Sequence, residues 1–177
     1  MYSQTQIKTE ATDMVKVNPI VVVLLIAIGA NEISSSELIM KSITSSFLKV
    51  LDECKRELNF GDNVLSDLYH FWKVDHALLN RDTGCAIACM SKKLNLLDTS
   101  GKLHHGNAEE FAVSHGAANE MASKLVTTVH ECEQQHTAVD DSCLRALEIA
   151  KCFRNAMHEL NWVPKMDVMI TEVLTEI

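Results

Sequence analysis

Helix breakers are scarce in this sequence, with six glycines and two prolines in 177 residues. Aromatics make up only 5%, so a core has to rest on aliphatic and methionine side chains. An excess of positive charge is also missing. The formal charge is -8, acids and bases are interleaved, and no basic stripe occurs, which excludes a phosphate backbone as partner and disfavours an anionic membrane surface. No apolar run reaches the roughly 20 residues that span a bilayer. No internal repeat or low-complexity segment is found. Nor is there a GxSxG, an HExxH or a phosphate-cradling glycine loop. A small secreted phospholipase, the main enzymatic rival, would need a calcium-binding glycine loop and a His beside a paired-Cys helix motif, and both are absent. No enzymatic activity, cofactor or metal is expected.

What is present begins with a continuous apolar run, Ile20 to Ala30, preceded by Lys16. Its length suits the hydrophobic region of a secretory signal; a buried strand is the alternative. The polar stretch Met1 to Asp13 before it is unusual for a signal, and Met14 is an alternative start. Residues 1–35 read as an N-terminal extension and signal peptide that is removed, with cleavage between Ala30 and Ser36. The mature chain then carries a charge of about -7 and is long enough for one domain. All six cysteines lie within it: Cys54, Cys85, Cys89, Cys132, Cys143 and Cys152. An even number in an exported chain reads as three disulfides, and six cysteines allow fifteen pairings. No CxxC or paired Cys/His spacing suggests structural zinc.

Apolar residues recur at helical spacing nearly throughout. Ile39, Ile43, Phe47, Leu51, Cys54 and Leu58 form one stripe, and Val64, Leu65, Leu68, Tyr69, Phe71 and Trp72 begin a second helix. A third spans roughly Thr83 to Leu97, with Cys85 and Cys89 one turn apart. Thr99-Ser100-Gly101 breaks the pattern before a loop holding Leu103 to Gly106. Asn107, with Glu110 three residues on, reads as the cap of a short helix that Gly116 ends. A further helix runs from about Asn119 to Glu133. The last is capped by Asp140 or Asp141, with Cys143, Leu147, Ala150, Phe153, Met157 and Leu160 as its stripe. No alternating strand pattern competes. The expected fold is all-α, a compact bundle of about six to seven helices with three disulfides tying helix to helix. Such cross-links are worth roughly 4 kcal/mol each for loops of about 35 to 60 residues, enough to hold open an apolar cavity, although a solid stapled bundle fits the same pattern.

The cysteine spacing and several dispersed stretches carry a resemblance. DECKREL (Asp52 to Leu58), FWK (Phe71 to Lys73), NRDTGCAI (Asn80 to Ile87), LHHGNAEEFA (Leu103 to Ala112), CFRNAMHELNW (Cys152 to Trp162) and PKMDV (Pro164 to Val168) resemble the moth pheromone-binding proteins, within the insect odorant-binding family. LHHGNA and the short acidic C-terminus fit that group better than the sister general odorant-binding proteins. The resemblance covers residues 36–177. It implies the pairs Cys54–Cys89, Cys85–Cys143 and Cys132–Cys152, and a flask-shaped apolar pocket for a long-chain alcohol, acetate or aldehyde. The ligand-binding set it implies is Met40, Thr44, Phe47, Phe71, Trp72, Ile87, Ser91, Leu97, Val126, Val129 and Phe153. Ser91 would hydrogen-bond the ligand oxygen, and Phe47 and Phe153 would sandwich an alkene. Ala88 stands where some relatives carry an amide, which leaves the polar work to Ser91, with Thr44 or Trp72 as alternatives.

The resemblance also implies a pH switch in which protonation of His104, His105 and His130 loosens a lid at the pocket mouth. The tail, residues 163–177, fits such a switch on its own physics. Met166, Met169, Ile170, Val173, Leu174 and Ile177 share one helical face, with Asp167, Glu172 and Glu176 off its centre. Ionised carboxylates resist burial in an apolar cavity, and protonated ones resist it less. The implied setting is extracellular, in the sensillum lymph of antennae. The implied partner is a small apolar volatile ligand; an olfactory receptor, the sensory neuron membrane and a second copy in a homodimer are further candidates.

Overall fold

The computed structural model describes residues 35–61, 63–73 and 79–164, without the side chain of Tyr69. The signal-like run Ile20 to Ala30 and the tail carboxylates Asp167, Glu172 and Glu176 lie outside the described residues. Those described form helices α1 (35–49), α2 (Leu51–Leu58), α3 (Asn63–His70), α4 (Arg81–Lys93), α5 (His105–Ser114), α6 (Asn119–Gln135) and α7 (Ser142–Glu159). The sole β-type pairing among them is an isolated bridge between Leu97 and Leu103. The chain is all-α.

Local chemistry sets the helix ends. Asn80 opens α4 with a capping box: its Oδ1 accepts from the backbone N–H groups of Asp82 and Thr83, and its own N–H donates to Thr83 Oγ1. Asp141 opens α7, accepting from the N–H groups of Cys143 and Leu144 at 2.9 Å. Asparagine also does much of the stopping that few glycines could do. Asn59, Asn95 and Asn161 follow α2, α4 and α7 with φ of 54°, 58° and 56°, the left-handed region that asparagine tolerates. Asn95 explains why α4 stops at Lys93, short of the expected Leu97. Two further expectations need correction. The first stripe is divided at Val50 into α1 and α2. The short helix α5 is capped by His104, whose Nδ1 accepts the Asn107 N–H at 3.2 Å, so Asn107 lies inside the helix.

The disulfides join Cys54 of α2 to Cys89 of α4, Cys85 of α4 to Cys143 of α7, and Cys132 of α6 to Cys152 of α7, the same pairs that the resemblance implies. Their sequence separations are 35, 58 and 20 residues, so the third loop is shorter than expected. Helix α4 packs most extensively on α7. At Cys85–Cys143 the two backbones approach to 4.4 Å between Cα atoms. Gly84 permits that approach, since a Cβ there would collide with the Cys143 carbonyl.

The core is not continuous. One cluster gathers Ile39, Met40, Trp72, Ala112, Leu125 and Met157; a second Leu51, Cys54, Val64, Leu68, Ala86 and Met90; a third Leu96, Ala108 and Val126. Space lies between them.

Candidate functional site

That space is a cavity of about 400 Å3, within the usual range of small-ligand sites. Each core cluster supplies part of its wall: Met40, Trp72, Ala112 and Leu125 from the first, Leu68 and Met90 from the second, Leu96, Ala108 and Val126 from the third. All eleven residues of the implied ligand set line it, on α1 (Met40, Thr44, Phe47), after α3 (Phe71, Trp72), on α4 (Ile87, Ser91), after α4 (Leu97), on α6 (Val126, Val129) and on α7 (Phe153). Ala88 lines it as well.

Its aromatic walls are ordered by ring contacts. Phe71 and Trp72 meet edge to face at 5.0 Å, and Phe47 meets Phe111 edge to face at 6.2 Å. The hydroxyls differ in availability. Thr44 spends its proton on the Met40 carbonyl of its own helix at 2.8 Å. Ser91 Oγ has no protein hydrogen-bond partner among the described residues. A half-buried hydroxyl on an apolar wall can therefore serve a guest's oxygen.

A flap over residues 95–104 closes one side through Leu96, Leu97, Ser100, Gly101 and Leu103. It is a small hairpin. The His104 N–H donates to the Leu96 carbonyl at 2.8 Å and the Asp98 N–H to the Lys102 carbonyl at 2.7 Å. Asp98 Oδ1 gathers the Ser100 hydroxyl, the Ser100 N–H and the Lys102 N–H within 3.0 Å. Those donors, the Ser100 hydroxyl foremost, hold the Asp98 carboxyl below its ordinary value. Gly101 turns the flap at a φ of 79°, which favours glycine.

Glu133 of α6 latches the flap: its Oε1 accepts the Leu103 N–H at 2.7 Å, and its Oε2 accepts from His130 Nδ1 at 2.9 Å. His130 Nε2 in turn lies 3.3 Å from His105 Nδ1, with the two rings parallel. His105 Nε2 lies 3.4 Å from Glu109. The three histidines thus sit beside the flap, His104 capping α5 and His105 paired with His130. None of them is on the cavity wall, whereas Glu133 is.

Reasoning from sequence missed Glu133, Arg145 and Phe111, all on the wall. Phe111 could have been found within LHHGNAEEFA as the apolar residue of a short helix. Glu133, one of two acids in the helix run HECEQQ, and Arg145 among α7's mixed residues carry no signal that separates them from solvated surface.

The sequence matches the model of the PBP/GOBP family over residues 36–156. It is 46% identical over 145 residues to Pheromone-binding protein 2 of Epiphyas postvittana, covering 82% of this chain and 88% of that one. Against General odorant-binding protein 1 of Antheraea pernyi it is 35% identical over 138 residues, covering 78% and 83%. The crystal structure of Epiphyas postvittana Pheromone Binding Protein 3 superposes with a TM-score of 0.62 at 63% identity, covering 65% of this chain and 98% of that one. These relatives are named for binding and not for catalysis, and the matched span holds all three disulfides and the whole cavity wall. The chain belongs to the PBP/GOBP family.

Proposed function

We propose that this chain is an extracellular carrier that takes up one long-chain volatile ligand, an alcohol, acetate or aldehyde of the pheromone type, and delivers it to olfactory receptors. The apolar cavity, with Ser91 on its wall unbonded to any other side chain or carbonyl among the described residues, carries this reading. A flexible hydrocarbon gains about 0.8 kcal/mol per buried methylene, about fourfold in affinity, while one hydrogen bond orients its head group. Export is supported by the run Ile20 to Ala30 and by the three disulfides. Residues 1–35 are then removed, residues 36–177 form the binding domain, and residues 163–177 are its switchable tail.

Acid release is supported by the bonds around the flap. His104 caps α5 through an unprotonated nitrogen, so a proton there removes the cap. His130 Nδ1–H is committed to Glu133, so neutral His130 accepts at Nε2 and His105 Nδ1–H donates to it. A proton on both rings sets N–H against N–H and charge against charge. The flap latch then loosens, and the tail, with Asp167, Glu172 and Glu176 neutralised, enters the vacated cavity.

Competitive displacement and native mass spectrometry of the secreted mature chain, with a homologous series of alcohols, acetates and aldehydes at about pH 7 and about pH 5, test the scheme. Affinity should climb about fourfold per methylene until the cavity is full, and should fall at the lower pH. Failure to bind any member at neutral pH sinks the carrier. Equal tightness at both values sinks the release, and a chain ended at Trp162 that behaves like the full one removes the tail's part. The general odorant-binding relatives, such as General odorant-binding protein 2 of Bombyx mori at 31% identity, favour one second reading. In it the cavity takes short, chemically varied odorants as tightly as long chains.

A further inference from the structure

Helix α3 ends at His70 without a glycine cap, and the backbone carbonyls of Phe71, Trp72 and Lys73 follow with no helix to use them. Side chains of α7 take all three. The Arg154 guanidinium donates through one nitrogen to the Phe71 carbonyl at 3.0 Å and the Lys73 carbonyl at 3.3 Å, and through another to Asn155 Oδ1 at 3.4 Å. One turn on, His158 Nε2 lies 3.0 Å from the Trp72 carbonyl. Since a carbonyl only accepts, the hydrogen sits on Nε2. Arg154 is fully buried, and its guanidinium also lies 5.8 Å from the Phe71 ring centroid. A buried arginine spent on main-chain carbonyls is a costly way to end a helix, and the rings it holds in place are Phe71 and Trp72. Both face the cavity, as does Phe153, the residue just before Arg154 on α7.

We infer that Arg154 and His158 form a clamp by which α7 fixes the distance between the Phe71 and Trp72 wall and the Phe153 wall, and so sets which ligand lengths the cavity accepts. Both are positioning residues, since neither lines the cavity. The planar guanidinium of Arg154 aims one nitrogen at two carbonyls and another at Asn155 Oδ1, a set that a lysine ammonium, a single nitrogen on a flexible stem, cannot hold in one fixed geometry. His158 donates from Nε2 whether neutral or protonated, so the clamp outlasts acidification, unlike the histidine pair at the flap. The inference rests on the carrier reading, because it concerns the selectivity of that same cavity.

The test measures affinities of the mature chain for long-chain acetates differing by two carbons. The variants are Arg154→Lys, Arg154→Met, His158→Phe and His158→Gln, the last keeping a side-chain N–H donor. Trp162→Phe throughout leaves Trp72 as the one tryptophan of the mature chain. Arg154→Met and His158→Phe should change the ratio between longest and shortest acetate by about tenfold, as expected for misfit of about one methylene, and should shift Trp72 emission. Arg154→Lys should show a smaller change of the same sense, and His158→Gln should restore the parent ratio and emission. Variants that stay folded by circular dichroism and keep the parent ratio overturn the clamp. If Arg154→Met does not fold, His158→Phe against His158→Gln decides alone. A parent protein that binds no acetate overturns the carrier reading instead, before any ratio is compared.

Discussion

Two hydroxyls of one chemical class have different uses in the cavity. Thr44 returns its proton to its own helix, a common fate for a helical threonine, whereas Ser91 keeps its proton. Ser91→Ala should therefore weaken an alcohol or acetate by about 2- to 10-fold, the worth of one net hydrogen bond, and leave the matching alkane within error. Isothermal titration of both ligands checks this, and an equal loss for the alkane would mean that Ser91 contributes shape alone. Sequence named Ser91 and the ten other residues of the implied ligand set by resemblance, and all of them line the cavity. Glu133 had no such guide. Its importance comes from meeting Leu103, thirty residues away in the chain, and periodicity does not report distant partners.

Among elements, the flap carries a carboxylate whose charge its fold depends on. Asp98 is held low in the folded chain by donors that need its charge. A group lowered by folding supports the fold above its unfolded pKa, and that support is lost as pH falls through the folded value. The flap hairpin thus keeps its scaffold at about pH 5 and loses it below the usual aspartate value of about 3.9. Asp98→Asn should leave the ligand-release step between neutral pH and about pH 5 in place, while the gap in thermal midpoint between wild type and variant should close as pH falls below about 3.9. A release step abolished by Asp98→Asn would move the switch from the histidines to the hairpin. Helix boundaries were the least legible elements, because asparagine stops and a histidine cap use residue types with weak preferences. Asn95 in the left-handed region shortened α4 and freed the segment that becomes the flap, and His104 took the cap from Asn107.

For the molecule as a whole, the all-α class was readable from few breakers and unbroken helical periodicity. The cavity was not, because a solid bundle would show the same stripes. Leaving about 400 Å3 unfilled forfeits contacts worth on the order of 10 kcal/mol. Three links at about 3 to 4 kcal/mol each offset a loss of that size. The same arithmetic predicts how far occupancy steadies the chain. A ligand at about a hundredfold excess over its Kd adds about 2.7 kcal/mol, or roughly 5 to 10 °C in Tm for a chain this long. Calorimetry with a saturating long-chain acetate checks the figure, and an unmoved Tm would mean that the guest does not sit among the three clusters.

Those separate clusters have one more implication. Empty, the protein has three hydrophobic clusters around one cavity, two of them sharing Phe47 as a neighbour; a hydrocarbon guest of the proposed kind would fill the middle and join all three. Such a guest would be an interchangeable part of the protein's own interior. Binding and stability are then linked, and the best-fitting guest is the one whose complex melts last.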